Sequence, residues 1–227
     1  EPMPRIETKT LAQHRDWRRN QLIEAAASIA LESGGAAVTV AAVAQRAGLS
    51  RTSVYEYFGS SADLSADLVL EELNNFAQYL QEALFAPLNM PTAQLLGSPA
   101  ADIHCTIEDM AKFAQELRRP TVIAVSTYIE ATTPQFPELE GVVPGLGKYS
   151  PCPWGLGPEI RGAKHPHWTA PRNSASTFGH FGGSGTFIWH DPVANVTCFA
   201  LTNREFDDWA MQYWPEFGQA VLNELGR

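Results

Sequence analysis

The sequence is poor in cysteine: Cys105, Cys152 and Cys198 are the only three in 227 residues. An odd, scattered set excludes a disulfide framework and fits a reducing compartment, so a cytoplasmic protein is expected. No stretch reaches the roughly 18 consecutive apolar residues of a membrane span, and no membrane partner is expected. The start, Glu1-Pro2-Met3-Pro4-Arg5, has no apolar run behind it. No secretory signal is therefore expected, and Met3 is a candidate start. Proline is missing from Arg5 to Ala86, then occurs fourteen times from Pro87 to Pro215. Since proline breaks helix interiors, the first stretch can be almost wholly helical and the second cannot. Neither an internal repeat nor a low-complexity run is present.

What is there divides in the same place. A formal charge of -9 argues against a general nucleic-acid coat. Residues 1–59, however, hold seven Lys/Arg against six Asp/Glu, and residues 60–227 hold nine against nineteen. Phosphate affinity depends on local charge, so the plausible nucleic-acid surface lies at the N-terminus. Five of the six tryptophans lie in the second half. The expected organisation is a domain over 1–86, a junction over 87–97 and a second region over 98–227.

The first region reads as four helices. Leu22, Ala26 and Ile29, with Ile23 and Ala30, form a stripe that Gly34-Gly35 ends. Thr39 is the N-cap of a second helix with Val40, Val43, Ala44 and Ala47 on its apolar face. Gly48-Leu49 follows, then Ser50 as N-cap of a short third helix, Arg51 to Phe58. Ser60 and Asp63 make a capping box for a long fourth helix carrying Leu64, Leu68, Phe76 and Leu80. Two short helices around a glycine turn are the helix-turn-helix layout, whose second helix enters the major groove. Arg51 stands at its reading end and can bind a guanine through two hydrogen bonds. Thr52, Ser53 and Tyr55 can reach bases or phosphates, whereas Tyr57 and the hydroxyls of Thr39 and Ser50 suit phosphates. Arg15, Arg18 and Arg19 add candidate backbone or minor-groove contacts.

Thr39-Val40, Val43-Ala44, Ala47-Gly48-Leu49-Ser50 and Val54-Tyr55-Glu56-Tyr57-Phe58 resemble the DNA-binding domain of TetR-type transcriptional regulators, over about residues 17–75. The resemblance implies a homodimer that binds a palindromic double-stranded DNA operator and represses, with an effector the sequence does not identify. Ser61 stands where that family commonly has a phosphate-binding lysine.

The second region reads as α+β. Thr106 caps a helix to Arg118, with Asp109 completing the box and Ile107, Met110, Ala111 and Ala114 as its stripe. Thr121 to Thr132 is ambiguous between helix and strand, and Pro134 to Pro153 reads as a long loop. Strand-like runs cover Trp154–Ile160, Ser176–His180, Thr186–His190 and Asn195–Thr202. A last helix carries Phe206, Trp209, Ala210, Tyr213, Phe217, Ala220, Val221 and Leu225 on one face, and Pro215 should bend or split it. The expected fold class is thus an all-α N-terminal helix-turn-helix bundle followed by an α+β segment with antiparallel strands and a C-terminal helix.

Asp109-Met110-Ala111-Lys112-Phe113-Ala114, Trp154-Gly155-Leu156-Gly157, Phe178-Gly179-His180-Phe181-Gly182, Ser184-Gly185-Thr186 and Asp191-Pro192 resemble the C-terminal portion of β-lactamase-like serine hydrolases, over about residues 93–226. The resemblance places His180-Phe181-Gly182 where that superfamily has Lys-Thr-Gly or His-Thr-Gly beside its active site, with Phe181 replacing the usual hydroxyl. Its chemistry needs a Ser-x-x-Lys nucleophile. No serine of this chain has lysine three residues on, and no Gly-x-Ser-x-Gly elbow occurs. Catalytic residues, cofactors and metals are therefore not expected. His165-x-His167 near Cys152 fits no strong zinc spacing, and Cys105 beside His104 reads as a half-buried structural thiol. A truncated hydrolase fold leaves a sheet edge and an apolar face without partners. The tail is therefore expected to pack poorly, to self-associate or to repack against the helix around Leu64 to Leu84.

The leading expectation is a TetR-type DNA-binding regulator with an atypical tail. The alternative is a catalytically inactive, hydrolase-derived fragment, or a rearranged fusion, acting as a binding protein or remnant.

Overall fold

The computed structural model of the chain describes residues 11–227; the candidate start at Met3 and the N-terminal leader reading lie outside them. The chain divides into two compact units, one to Gln78 and one from Tyr79 to Arg227.

In the first unit, α1 (Leu11–Ser33), a single 3-10 turn (Gly35–Ala37), α2 (Val40–Ala47), α3 (Arg51–Tyr55) and α4 (Ser61–Leu80) follow in order. Local chemistry sets each boundary. Gly34 takes a φ of 83°, where a side chain would be strained, and α1 stops there. The hydroxyl of Thr39 accepts from the amide of Ala42 at 3.2 Å, and that of Ser50 from Ser53 at 3.1 Å. Gly48, at φ 68°, closes α2 in the left-handed region. The third helix ends at Tyr55 rather than Phe58, because Tyr57 and Phe58 both donate to the carbonyl of Val54, at 3.0 Å each. Leu22, Ala26, Val43, Val54, Phe58 and Leu64 form the centre of the core, each at most 2% exposed. A bidentate pair of Arg46 with Glu32 (2.9 and 2.7 Å) ties α2 to α1.

The second unit opens on a π-helical turn (Gln81–Phe85) that continues α4, followed by a hairpin of β1 (Gln94–Leu95) and β2 (Ile103–His104). Helices α5 (Ile107–Arg118) and α6 (Val125–Ala131) come next, then a hairpin of β3 (Gly141–Val143) and β4 (Gly147–Tyr149). Strands β5 (Glu159–Ile160), β6 (Phe178–Phe181), β7 (Phe187–Asp191) and β8 (Val196–Ala200) form an antiparallel sheet in sequence order, and α7 (Asp208–Glu224) ends the chain. His180 pairs with Ile188, and Trp189 with Cys198. Trp168, Trp189, Trp214, Phe187, Ala210 and Leu222 make the core of this unit.

Several expectations are corrected. The fold class of the chain is α+β, with helices from Leu11 on and antiparallel sheets from Gln94 on, and not an all-α N-terminal bundle set before a separate α+β segment. In the second unit, Phe85 of the π-helical turn is buried with Met90 and Ala93 in a smaller core. The stretch from Pro134 to Pro153 holds the β3–β4 hairpin, and only Glu159–Ile160 of the run from Trp154 is a strand. Helix α7 passes through Pro215 unbroken; packing of Trp214 and Gly218 offsets the amide hydrogen bond that proline cannot make. Its buried face is Ala210, Trp214, Gly218 and Leu222, while Tyr213, Phe217 and Leu225 are exposed. Nor is the tail poorly packed, since its aromatic core is closed: Trp168 and Trp189 are 1% and 0% exposed.

Candidate functional site

The β6–β7 hairpin is built around two glycines. A side chain at Gly179 would lie 2.1 Å from the carbonyl oxygen of Ile188. Gly185, at φ 80°, donates to Gly182 in the turn, while the amide of Gly182 donates to Thr186 at 2.9 Å. That pattern is a three-residue loop closed by a bulge glycine. Residues of a strand alternate between faces. His180 and Gly182 therefore line a cavity of about 620 Å³, a volume in the range of small-molecule sites. Phe181 points the other way, stacked on Phe206 with ring centroids 4.9 Å apart and edge-on to Trp214 at 5.5 Å. The missing hydroxyl at Phe181 thus has a geometric counterpart: the side chain serves the aromatic core.

The floor of the cavity is apolar, with Phe85, Met90, Met110, Phe113 and Ile188. Its polar groups are His104, Cys105, His180, Ser184, Thr186 and Thr202. The hydroxyls of Ser184 and Thr186 lie 3.0 Å apart, and Thr202 donates to the carbonyl of Arg204 at 3.0 Å. Burial and the nearby Asp109 charge push the Cys105 thiol up, away from its reactive form. His180 is exposed and meets the ring of Trp154 edge-on at 5.6 Å. Sequence reasoning found His180 and Gly182 but not the hydroxyls, whose only signal was the Ser-Gly-Thr turn and an isolated Thr202.

Asp109 was expected to complete a capping box, and the amide of Asp109 does bond Thr106, at 3.4 Å. Its carboxylate is instead buried and accepts from the amide and hydroxyl of Thr92 (2.8 and 2.6 Å) and from Lys112 (2.8 Å). Burial alone raises such a carboxyl, but the bonds from Lys112 and Thr92 hold it down at about 2.

A second polar group, missed from sequence, gathers around Glu159 of β5. Glu159 accepts from Lys164 (2.8 Å) and from the Trp168 indole (2.6 Å), and its Oε1 is 3.1 Å from Nε2 of His167. The other ring nitrogen of His167 bonds Thr169 at 2.8 Å, and Arg161 donates to the same hydroxyl at 2.6 Å. All five ionisable or hydroxyl side chains are buried. The available signal was five ionisable residues within 159–167 of an aromatic-rich stretch. His165 is exposed while His167 is fully engaged, so the His165-x-His167 pair is not brought together; among the described residues no cluster fit for a metal occurs.

Each lysine among the described residues is held by a carboxylate: Lys112 by Asp109, Lys148 by Glu140 and Lys164 by Glu159. Two tyrosine hydroxyls of this unit are also committed, Tyr128 to the carbonyl of Leu117 (2.6 Å) and Tyr149 to that of Pro166 (2.5 Å). The unit therefore presents hydrogen-bond partners around an apolar cavity, without a free lysine to activate a hydroxyl.

On the first unit, Arg51, Thr52 and Tyr55 are exposed on α3. Ser53 bonds the Ser50 hydroxyl at 2.9 Å, and Tyr57 packs partly against the helical core. Thr39 and Ser50 are exposed and act as caps. Of the added basic residues, Arg15 is exposed, Arg18 stacks on Trp17 at 5.1 Å, and Arg19 is tied to Asp67 at 2.6 Å. Among the described residues no helix is long and apolar enough to cross a membrane.

A solved β-lactamase from Mycobacterium bovis is 41% identical, with a TM-score of 0.63 over 82% of this chain and 60% of that one. The chain therefore spans about three-fifths of that protein's length. The nucleoid occlusion factor SlmA of Marinomonas sp. (strain MWYL1) is 29% identical over 79 residues, 35% of this chain and 36% of that protein. The Beta-lactamase family model matches residues 16–222, across α1 to α4 as well as the sheet, which is the finding that sets aside an all-α N-terminal bundle. On that match, the chain belongs to the β-lactamase family.

Proposed function

We propose that this chain is a non-hydrolytic member of its family that binds a small acyl amide or ester reversibly in the cavity beside β6. One observation carries the reading. The cavity and its hairpin are built, yet no serine in the sequence is followed by lysine three positions on. A site without its nucleophile loses nearly all covalent catalysis but keeps its binding surface. The apolar floor takes the acyl body, and His180, Ser184 and Thr186 offer donors to a carbonyl or carboxylate. Titrating the full chain with benzylpenicillin, followed calorimetrically and by intact mass, tests this. Saturable binding with unchanged protein mass is expected, weakened by His180→Ala. A covalent adduct, or no binding by the unaltered chain, refutes it.

A second reading rests on a separate observation, the exposure of Arg51, Thr52 and Tyr55 behind the Ser50 cap, in a chain that is similar over 79 residues to a nucleoid occlusion factor. In it, α3 enters the major groove of an operator duplex, with Arg51 reading a base and the caps meeting phosphates. A dimer follows from the few base pairs one short helix can read. A salt-dependent gel shift against a palindromic library tests it; indifference to every duplex at low ionic strength rejects it.

A further inference from the structure

Cys152 and Lys164 are 12 residues apart in the chain and meet inside the second unit. Local chemistry brings them together. The amide of Ile160 donates to the carbonyl of Pro153 at 3.1 Å and closes the loop between them. Gly162, at φ 57°, then turns the chain in the left-handed region, where a side chain would come within 2.9 Å of Pro153. The amide of Lys164 donates to Arg161 at 3.2 Å, while that of Cys152 donates to Leu139 at 2.8 Å. Both side chains are left buried, each residue 3% exposed.

Nζ of Lys164 lies 3.8 Å from Sγ of Cys152. Its other partners are the carbonyl of Ile160 at 2.7 Å and Glu159 at 2.8 Å. An ammonium has three N–H groups, and the thiol is the weakest of these three acceptors. Among the described residues, Cys152 is the only cysteine with an amine bonded to its sulfur. Cys198, by contrast, is buried with its thiol pushed up to about 12. On the β3 side the sulfur of Cys152 lies under the part-exposed Gly141, where a side chain would come within 3.0 Å of Sγ. Glycine is the thinnest cover a residue can give.

We propose that hydrogen peroxide, entering past Gly141, converts this pair into a reversible cross-link, a sulfenamide between Sγ of Cys152 and Nζ of Lys164. In the first step the sulfur attacks the peroxide. An S–O bond forms, the O–O bond breaks, and the thiol proton leaves with the departing hydroxide as water. Sulfur is oxidised and peroxide reduced. In the second step the Lys164 nitrogen attacks the sulfenic sulfur; an S–N bond forms and the S–O bond breaks. The ammonium gives up two protons. One leaves with the hydroxide as a second water, and the other passes to Glu159 and on to solvent. Glu159 accepts it because the linked nitrogen carries no charge, so the buried carboxylate has lost a cation that kept it ionised. Rotation of the flexible lysine stem closes the distance. Excess thiol reverses the link by attacking Sγ, which releases the amine and then the thiol. Neither residue lines the ligand cavity, so loss of ligand binding leaves the inference standing.

Peptide mapping of the full chain tests it. The folded chain is treated with hydrogen peroxide, quenched with catalase, alkylated under denaturing conditions and digested with trypsin. Without peroxide, trypsin cuts after Lys164 and Cys152 is alkylated. After peroxide, the cut should be lost and the two peptides joined, about 2 Da lighter than their unalkylated sum. Dithiothreitol should restore both the cut and the alkylation. Lys164→Arg keeps a cation beside Glu159 but supplies no amine, so no link should form. If that variant does not fold, Cys152→Ala gives the reading: the cut after Lys164 should survive peroxide. Full alkylation of Cys152 at doses that oxidise the part-exposed Met211 overturns the proposal. So does a sulfinic acid at Cys152 with Lys164 still cut, or a disulfide from Cys152 to Cys105 or Cys198.

Discussion

Nζ of Lys164 lies 2.8 Å from Oε1 of Glu159, and neither side chain is more than 3% exposed. The same carboxylate also serves the Trp168 indole and faces His167, so it fastens β5 to the segment that leads into β6. Removing one partner of a buried ion pair leaves an uncompensated charge, at about 3–5 kcal/mol. Glu159→Gln should therefore lower the thermal midpoint steeply. Glu159→Gln combined with Lys164→Met should recover part of that loss, because the stranded ammonium is gone. If the double variant is no more stable than Glu159→Gln alone, the pair is not the source of the cost.

Acid should act through the same cluster. Burial pushes His167 down from its ordinary 6.5, against the pull of Glu159, and does the same to His190. For a base lowered in the fold, stability is full above the unfolded value and falls as pH drops through it. Burial raises Glu159, but the bonds from His167 and Lys164 outweigh this and hold it at about 2, below the usual 4.5. A lowered carboxylate likewise loses its contribution as pH falls from the unfolded value toward the folded one. The two effects have one sign. The thermal midpoint should begin to fall below about pH 6.5 and fall further between about pH 4.5 and 2. A midpoint flat from pH 7 to 4 would contradict this assignment.

Much of this was legible in the residues. The caps at Thr39, Ser50 and Thr106 and the left-handed Gly48 are local chemistry, written in a few adjacent positions. Strands β6, β7 and β8 also show as short apolar and aromatic runs bounded by the Gly182–Gly185 and Asp191-Pro192 turns. The inward face of α7 does not. Its aromatic residues suggested one stripe, but packing against the sheet selected Trp214 and Gly218, since a side chain at Gly218 would come within 3.2 Å of Ala170. The buried Glu159 cluster was invisible because partners eight or nine positions apart are joined by a loop, with no period to betray them. The helical stretch resembled a separate bundle because helix periodicity reports only local geometry, and family membership is carried by the whole match over residues 16–222.

Glycine positions around the hairpin separate close approach from open loop. At Gly179 an added side chain would be 2.1 Å from backbone oxygen, whereas at Gly183 nothing lies within 4 Å. Gly179→Ala must part β6 from β7, and a loss of several kcal/mol, about the scale of severe overpacking, is expected. Gly183→Ala should change stability by less than about 0.5 kcal/mol. Chemical denaturation of the two variants distinguishes them, and equal losses would mean that the hairpin is not held as described.

The third helix offers a separation of structural from reading roles. Ser50 caps it by accepting from the amide of Ser53 at 3.1 Å, so Ser50→Ala should cost about 1 kcal/mol of stability. Arg51 is exposed one position later, away from the core, so Arg51→Ala should leave the thermal midpoint nearly unchanged. Under the DNA-binding reading, Arg51→Ala should narrow the difference in affinity between a selected operator and random duplex by about 1–3 kcal/mol. Ser50→Ala should weaken both alike, because a phosphate-facing cap positions the helix without specifying sequence. Fluorescence anisotropy with both duplexes at fixed salt measures the contrast. Equal losses from Arg51→Ala on the two duplexes would reduce that guanidinium to a phosphate contact and remove base reading from α3.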